Sequence, residues 1–263
     1  MDYIKNNKLA WEEAFEHRRE KWGDENHEIL KAKTLPFLND DTITELKKLD
    51  LEGKTIAQFC CNNGRELLSL MQLNPANAVG FDIAENIIGQ AKETVLKIGV
   101  NNCNFIACDI LEIDEKYYDK FDFIFFTIGA ITWFENLELL FEKVSRCLKQ
   151  NGIMLINDFH PFMNMLPMPG EDAFDKNNLN QVTYSYFRNE PWIENNGMGY
   201  ITPEYESKTF TSFSHTLSEI INSTISSGMI IAKLNEYNYD VGMTNVYNGK
   251  GYPLSFIMVA KKI

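Results

Sequence analysis

The chain is defined first by what it has little of. None of its 263 residues belongs to a run approaching the roughly 20 apolar residues that span a bilayer. The N-terminal Met-Asp-Tyr-Ile-Lys-Asn-Asn-Lys has no apolar segment behind it. No membrane partner is therefore expected, and a cytoplasmic location is. Lys/Arg runs are missing, and the formal charge is −12, which opposes the phosphate neutralisation that nucleic-acid binding needs. The five cysteines, Cys60, Cys61, Cys103, Cys108 and Cys147, are odd in number, and none has zinc-type spacing. No metal site is expected, and the three outer cysteines read as small core residues. Histidine is scarce, at positions 17, 27, 160 and 215 only. The phosphate-cradling pattern G-x-G-x-x-G is absent, as are internal repeats and low-complexity linkers.

What is present is a packed core in the making. The apolar fraction is 44%, ordinary for a globular chain. Short apolar runs at 55–60, 78–81, 103–108, 121–128 and 153–159 read as strands. Helical periods alternate with them. Ala84, Ile87, Ile88, Ala91, Val95 and Ile98 share one face, with Gly99 as the stop, and Leu137, Leu140, Phe141, Val144 and Leu148 form another face ended by Asn151-Gly152. Such alternation predicts an α/β fold with right-handed crossovers and helices on both faces of a mostly parallel sheet. Before it, Trp11, Phe15, Arg18 and Trp22 mark an amphipathic helix over 11–22. The rhythm breaks at Pro161, and 161–214 reads as an insertion with short strands at 181–187 and 208–213. Thr216 and Glu219 form a capping box for the next helix. Runs at 229–234 and 254–260 complete seven strands, the last antiparallel. Four segments result: an N-terminal helical cap (1–50), the core (51–160), the insertion (161–214) and the C-terminal part of the core (215–263).

In open parallel sheets, ligands bind at the carboxyl ends of the strands. The first strand ends in Gln58-Phe-Cys60-Cys61-Asn62-Asn63-Gly64, whose Asn and Gly residues tolerate positive φ in a tight turn. On its own this is equally an ordinary βα turn. Asp82 ends the second strand, where a carboxylate accepts from ribose hydroxyls. Asp109 ends the third, placed to accept from an adenine amine. Either Asp alone is more often a helix cap. The three strand ends together point to an adenine nucleoside. A single-glycine loop fits a pyrophosphate poorly and fits S-adenosylmethionine, which has no phosphate.

Five segments carry a resemblance. Thr-Ile-Ala-Gln-Phe-Cys-Cys-Asn-Asn-Gly-Arg-Glu, Gly-Phe-Asp82-Ile, Ala-Cys-Asp109-Ile, Phe-Asp-Phe-Ile-Phe-Phe-Thr127-Ile-Gly-Ala and Leu-Lys-Gln-Asn-Gly-Ile-Met-Leu-Ile-Asn-Asp-Phe resemble the successive motifs of class I S-adenosylmethionine-dependent methyltransferases. The likeness is to the broad group that includes ubiquinone/menaquinone-biosynthesis-type enzymes, and it covers 55–160 best. It implies a Rossmann-like seven-stranded sheet and S-adenosylmethionine as cofactor, with S-adenosylhomocysteine as product. It also implies that Gln58 and the backbone of Cys60, Cys61, Asn62, Asn63 and Gly64 lie along the methionine part. Asp82 would then hold the ribose, Ile83 the adenine face, Asp109 and Ile110 the adenine edge, and Thr127 and Ile128 the methionine end. The family often carries an acid where this chain has Gln58, and glycine where it has Cys60 and Asn62.

Methyl transfer asks the protein mainly for alignment and exclusion of water. If a base is needed, His160 follows the fifth strand on the ligand side, although a structural role in that turn is the alternative. Trp11, Trp133, His160, Trp192 and Tyr200 are the expected substrate-binding residues, with the N-terminal helix and the insertion as a lid or simply as packing. The expected partner is a small-molecule methyl acceptor, and the chain is expected to be a monomer or homodimer. A non-catalytic cofactor-binding subunit and a nucleotide-dependent oxidoreductase remain as alternatives.

Overall fold

Five strands lie parallel: β1 (Thr55–Phe59), β2 (Asn77–Asp82), β3 (Cys103–Ala107), β4 (Phe121–Phe126) and β5 (Leu148–Phe159). The computed structural model describes residues 2–263. In β4, Phe123 and Phe125 enter one core while Ile124 and Phe126 enter the other, and all four are buried. Two covered faces explain the unbroken apolar run, because side chains alternate with a period of two. Each fully buried side chain of this size contributes about 1.5–3 kcal/mol. Cys103 and Cys108 fall on opposite faces for the same reason.

Helices α1 (Tyr3–Glu16), α2 (Asn26–Ala32) and α3 (Asp40–Leu49) precede the sheet. Leu30 of α2 and Leu46 of α3 join α4 (Arg65–Leu70) and α5 (Glu85–Ile98) over one face. The other face is covered by α6 (Leu137–Cys147) and α7 (Leu217–Ser226). The insertion contributes a 3₁₀ helix, Pro161–Met165, and a short antiparallel hairpin, β6 (Trp192–Glu194) with β7 (Phe210–Ser212). Strands β8 (Met229–Tyr237) and β9 (Ser255–Lys262) finish the sheet, whose order is β3-β2-β1-β4-β5-β9-β8. The last strand, β9, runs antiparallel to both of its neighbours, as expected.

Several boundaries differ from the sequence reading. The N-terminal helix covers Tyr3–Glu16 rather than 11–22, because Asp2 caps its start and the chain turns through Lys21 and Gly23 at positive φ. Phe15 and Trp22 still meet, at 6.4 Å, across that turn. Asn151-Gly152 does not stop α6. The helix ends at Cys147, and Asn151, at φ +65°, turns the chain within β5 at a shift in its register with β4. Residues 181–187 form no strand, while Trp192–Glu194, too short to show alternation, does. Thr216 caps α7 by accepting from the N–H of Glu219 at 3.1 Å, but the Glu219 side chain turns to His215 instead of closing the box.

Candidate active site

Strand order reverses direction about β1, with β2 on one side and β4 on the other. The carboxyl ends of these strands open onto a cavity of about 340 Å³, within the range of small-molecule sites. At the end of β1 the chain makes a tight loop with Cys60, Asn62 and Gly64 at φ +53°, +49° and +74°. These alternate positions each need left-handed backbone, which costs about 1–2 kcal/mol for a residue bearing a Cβ. Neighbouring contacts hold the loop in place. The N–H of Cys61 donates to Phe81 O and that of Gly64 to Cys61 O, both at 2.9 Å, and the N–H of Asn62 donates to Asp82 Oδ2 at 2.7 Å. Gly64 is required twice over, since a Cβ there would also lie 2.3 Å from the Phe105 ring.

Asp82 ends β2 and is half-buried, and desolvation raises its pKa despite hydrogen bonds from the N–H groups of Asn62 and Ala84 that pull the other way. Asp109, beyond the neighbouring strand β3, is half-buried. Burial raises its pKa too, while it accepts from the N–H of Leu111 at 2.9 Å. Both line the cavity with Cys60, Asn62, Ile83 and Ile110. Thr127 and Ile128, past β4, also line it. Four of the loop-related candidates lie just behind the wall. Gln58 is fully buried and donates from Nε2 to Thr127 Oγ1 at 3.0 Å, with its Oε1 unpartnered. Cys61 packs in the core, Asn63 donates to Gln90 at 3.2 Å, and Gly64 starts α4. Burial, and then the Asp82 charge, push the Cys60 and Cys61 thiols well up, so neither is an activated nucleophile.

The rest of the wall is aromatic. Trp11 of α1 meets Trp133 at 5.3 Å and Phe210 of the hairpin at 5.5 Å, both edge-to-face, and Tyr200 at 6.3 Å. Trp11, Trp133 and Tyr200 line the cavity. Asn7 fastens α1 to the insertion: its Nδ2 donates to Thr211 O at 2.8 Å, and its Oδ1 accepts from Thr211 N–H at 2.7 Å. Glu13 adds a second tie by accepting from Lys208 N–H and Nζ.

His160 and Trp192 do not reach the cavity. His160 is buried beside Phe256. Its Nδ1 accepts from Phe162 N–H at 3.0 Å, and its Nε2 lies 2.9 Å from Glu236. Burial lowers its pKa, with Glu236 opposing. It is a turn residue, and the expectation that it contacts substrate is corrected. Trp192 lies in the hairpin, where Arg188 stacks on its ring at 3.9 Å and its indole donates to Ser214. None of the four histidines lines the cavity, and no metal-binding cluster occurs among the described residues.

Residues missed from the sequence include Arg65, Glu66, Asn7, Phe134, Val241 and Gly242, all on the cavity wall. Arg65 and Glu66 directly follow the loop, and that position was a usable signal. Val241 and Gly242 come from the long β8–β9 connection, where composition announces a turn but not its destination.

Comparison with known proteins agrees with this geometry. A family model described as a methyltransferase domain matches residues 51–210. A Haemophilus influenzae protein is 23% identical over 194 residues, covering 71% of each chain. A Rickettsia prowazekii protein is 30% identical over 119 residues, or 44% of this chain, which spans only 21% of that relative. Among solved structures, a S-adenosylmethionine-dependent methyltransferase from Mesorhizobium loti superposes with a TM-score of 0.58 at 15% identity, over 89% of this chain and 100% of that one. One from Clostridium acetobutylicum gives 0.59 at 14%, over 91% and 96%. The cyclase SpnF gives 0.54 at 12%, over 84% and 80%, so the same fold hosts other chemistry. With the family model matching most of its length, and strand order, cavity and loop in agreement, the chain belongs to the methyltransferase-domain family and is built on its Rossmann-like class I fold.

Proposed function

We propose that this protein is an enzyme that transfers a methyl group from S-adenosylmethionine to a small organic acceptor. The observation that supports this most is that Asp82 and Asp109, from neighbouring strands, open into one cavity with the Cys60–Asn62 loop. Asp82 retains free lone pairs for ribose hydroxyls, and Asp109 for the adenine amine. Ile83 and Ile110 flank the base. Gln58, just behind the wall, fixes Thr127 by donating to its hydroxyl.

The cofactor supplies an activated methyl on a sulfonium. The protein's own share is alignment and dryness. Trp11, Trp133 and Tyr200 shield the cavity, and Ile128, Val241 and Gly242 bound its remaining wall. Such a cover excludes water and orients an acceptor of modest size. No histidine lies on the wall, so the bases it offers are carboxylates such as Asp82 and Asp109, and the cavity favours acceptors that need little help losing a proton. Cys60 and Asn62 place side chains where a pyrophosphate would need bare backbone, which disfavours the oxidoreductase reading.

Calorimetric titration with S-adenosylmethionine, S-adenosylhomocysteine and NAD tests the cofactor assignment. Binding of NAD alone would overturn it. Release of S-adenosylhomocysteine across a panel of amine, thiol, hydroxyl and carbon acceptors tests catalysis. Binding without turnover on any acceptor would favour the non-catalytic subunit.

A further inference from the structure

A buried amide outside the cavity joins two parts of its wall. Gln90 lies on α5, where its neighbours Ile88 and Ala91 pack in the core, so it is offered from a fixed element. Its Oε1 accepts from Nδ2 of Asn63, the buried loop residue, at 3.2 Å. Its Nε2 donates to the backbone carbonyl of Trp22 at 2.9 Å and to Asp24 Oδ1 at 3.3 Å. Among the described residues, neither Asn63 Nδ2 nor the Trp22 carbonyl has another hydrogen-bond partner. Gly23 makes room for this junction. It sits at φ +78°, and a Cβ there would overlap Gln90 Oε1 and lie 2.8 Å from Asn63 Nδ2. Gln90 and Asn63 do not line the cavity, but Trp22 and Asn62, one on each side of the amide, do.

A second path links the same two ends. Asn62 Nδ2 donates to the Tyr200 hydroxyl at 3.1 Å, and the Tyr200 ring lies 6.5 Å from that of Trp22. Asn62 Oδ1 accepts from Asn63 N–H at 2.8 Å, so the contacts close a circuit through Asn62, Tyr200, Trp22, Gln90 and Asn63. Trp22 is held at its backbone by Gln90 and met at its ring by Tyr200. We propose that Gln90 is a positioning residue that ties the setting of the Asn62–Asn63 loop to Trp22, so that filling the cofactor site fixes this part of the wall. The inference rests on the cofactor reading above. Only a primary amide serves both ends, because it accepts and donates from one planar group. A hydrocarbon side chain would strand both buried partners, and a carboxylate would accept from Asn63 but face the Trp22 carbonyl with another oxygen.

Fluorine NMR of the full chain carrying fluorotryptophan tests this, with Trp22→Phe assigning the Trp22 resonance. In wild type that resonance is expected to shift on saturation with S-adenosylhomocysteine. Gln90→Leu should displace or broaden it in the free protein, remove its response to S-adenosylhomocysteine, and weaken binding of that compound by about three- to tenfold. The Trp192 resonance, outside the cavity, should match wild type and so show that the variant is folded. Gln90→Glu keeps an acceptor for Asn63 and loses the donor for Trp22. It should displace the Trp22 resonance while binding S-adenosylhomocysteine more tightly than Gln90→Leu does. Gly23→Ala, which crowds the same junction from the other side, should displace that resonance too, and carries the comparison if Gln90→Leu does not fold. A Trp22 resonance that keeps its wild-type position and response in these variants overturns the proposal. Wild type that fails to bind S-adenosylhomocysteine overturns the cofactor reading and with it the coupling, whereas the free proteins still decide whether Gln90 positions Trp22.

Discussion

Asp158 accepts a hydrogen bond from the backbone N–H of Gly129 at 2.5 Å, joining buried strand β5 to the cavity wall. The same oxygen also accepts from Phe159 N–H at 2.8 Å, while Oδ2 is buried without a partner. Burial drives the pKa of this carboxyl up to about 7. The folded protein thus holds a proton that the unfolded chain has already released, so stability falls as pH rises from the ordinary carboxylate range to about 7. Asp158→Asn should flatten thermal stability across that window and make the variant relatively more stable above it. Melting curves recorded at closely spaced pH values check this, and parallel profiles for the two proteins would count against it.

Asp82 has two tasks, since it anchors Asn62 N–H and faces the nucleoside side of the cavity. Asp82→Ala is expected to weaken S-adenosylmethionine binding by about 1–3 kcal/mol, the cost of leaving polar partners unpaired. Titration calorimetry reads this directly, and unchanged affinity would remove Asp82 from the ribose site.

Asn7 is the clasp between α1 and the insertion. Asn7→Ala strands the N–H and C=O of Thr211 and should cost about 1–3 kcal/mol. If the two pieces form a moving cover, hydrogen exchange at residues 208–213 should speed up in the variant, and KM for the cofactor should rise. Exchange unchanged from wild type would mean that the aromatic packing around Trp11 suffices without the clasp.

Gly64→Ala meets both the positive φ and the Phe105 ring. The combined penalty is about 2–5 kcal/mol. Phe105→Leu should recover the steric share but not the backbone share. A double variant as stable as Phe105→Leu alone would show that the left-handed geometry is not a cost.

The parts of the fold legible beforehand were those where one physical signal dominates. The Phe-Asp-Phe-Ile-Phe-Phe run could be only a strand covered on both faces, and the Ala84–Ile98 period only a helix. The carboxylates Asp82 and Asp109 were legible because strand ends locate them without any knowledge of packing. His160 and Trp192 misled because residue type says what a side chain can do and not which way it faces. His160 sits at the right strand end yet turns toward Glu236, and Trp192 spends its indole on Ser214. Arg65 and Glu66 were passed over because a charged pair opening a helix resembles any solvated first turn. Only the fold shows that the pair shares a cavity wall with Trp11 of α1 and Tyr200.

The position of β9 has a consequence for how the molecule can be made. Strand β8 pairs with β9 and with no other strand, and β9 alone connects it to β5. Residues 229–237 therefore have no place in the sheet until β9 has been made and has paired with β5. A stop codon near residue 254 would leave β8 with two open edges and β5 with one, their backbone N–H and C=O groups ready to pair with another chain. A stop codon that removes β9 should therefore be as damaging as one in the middle of the core, and its product should aggregate rather than persist as a shortened enzyme.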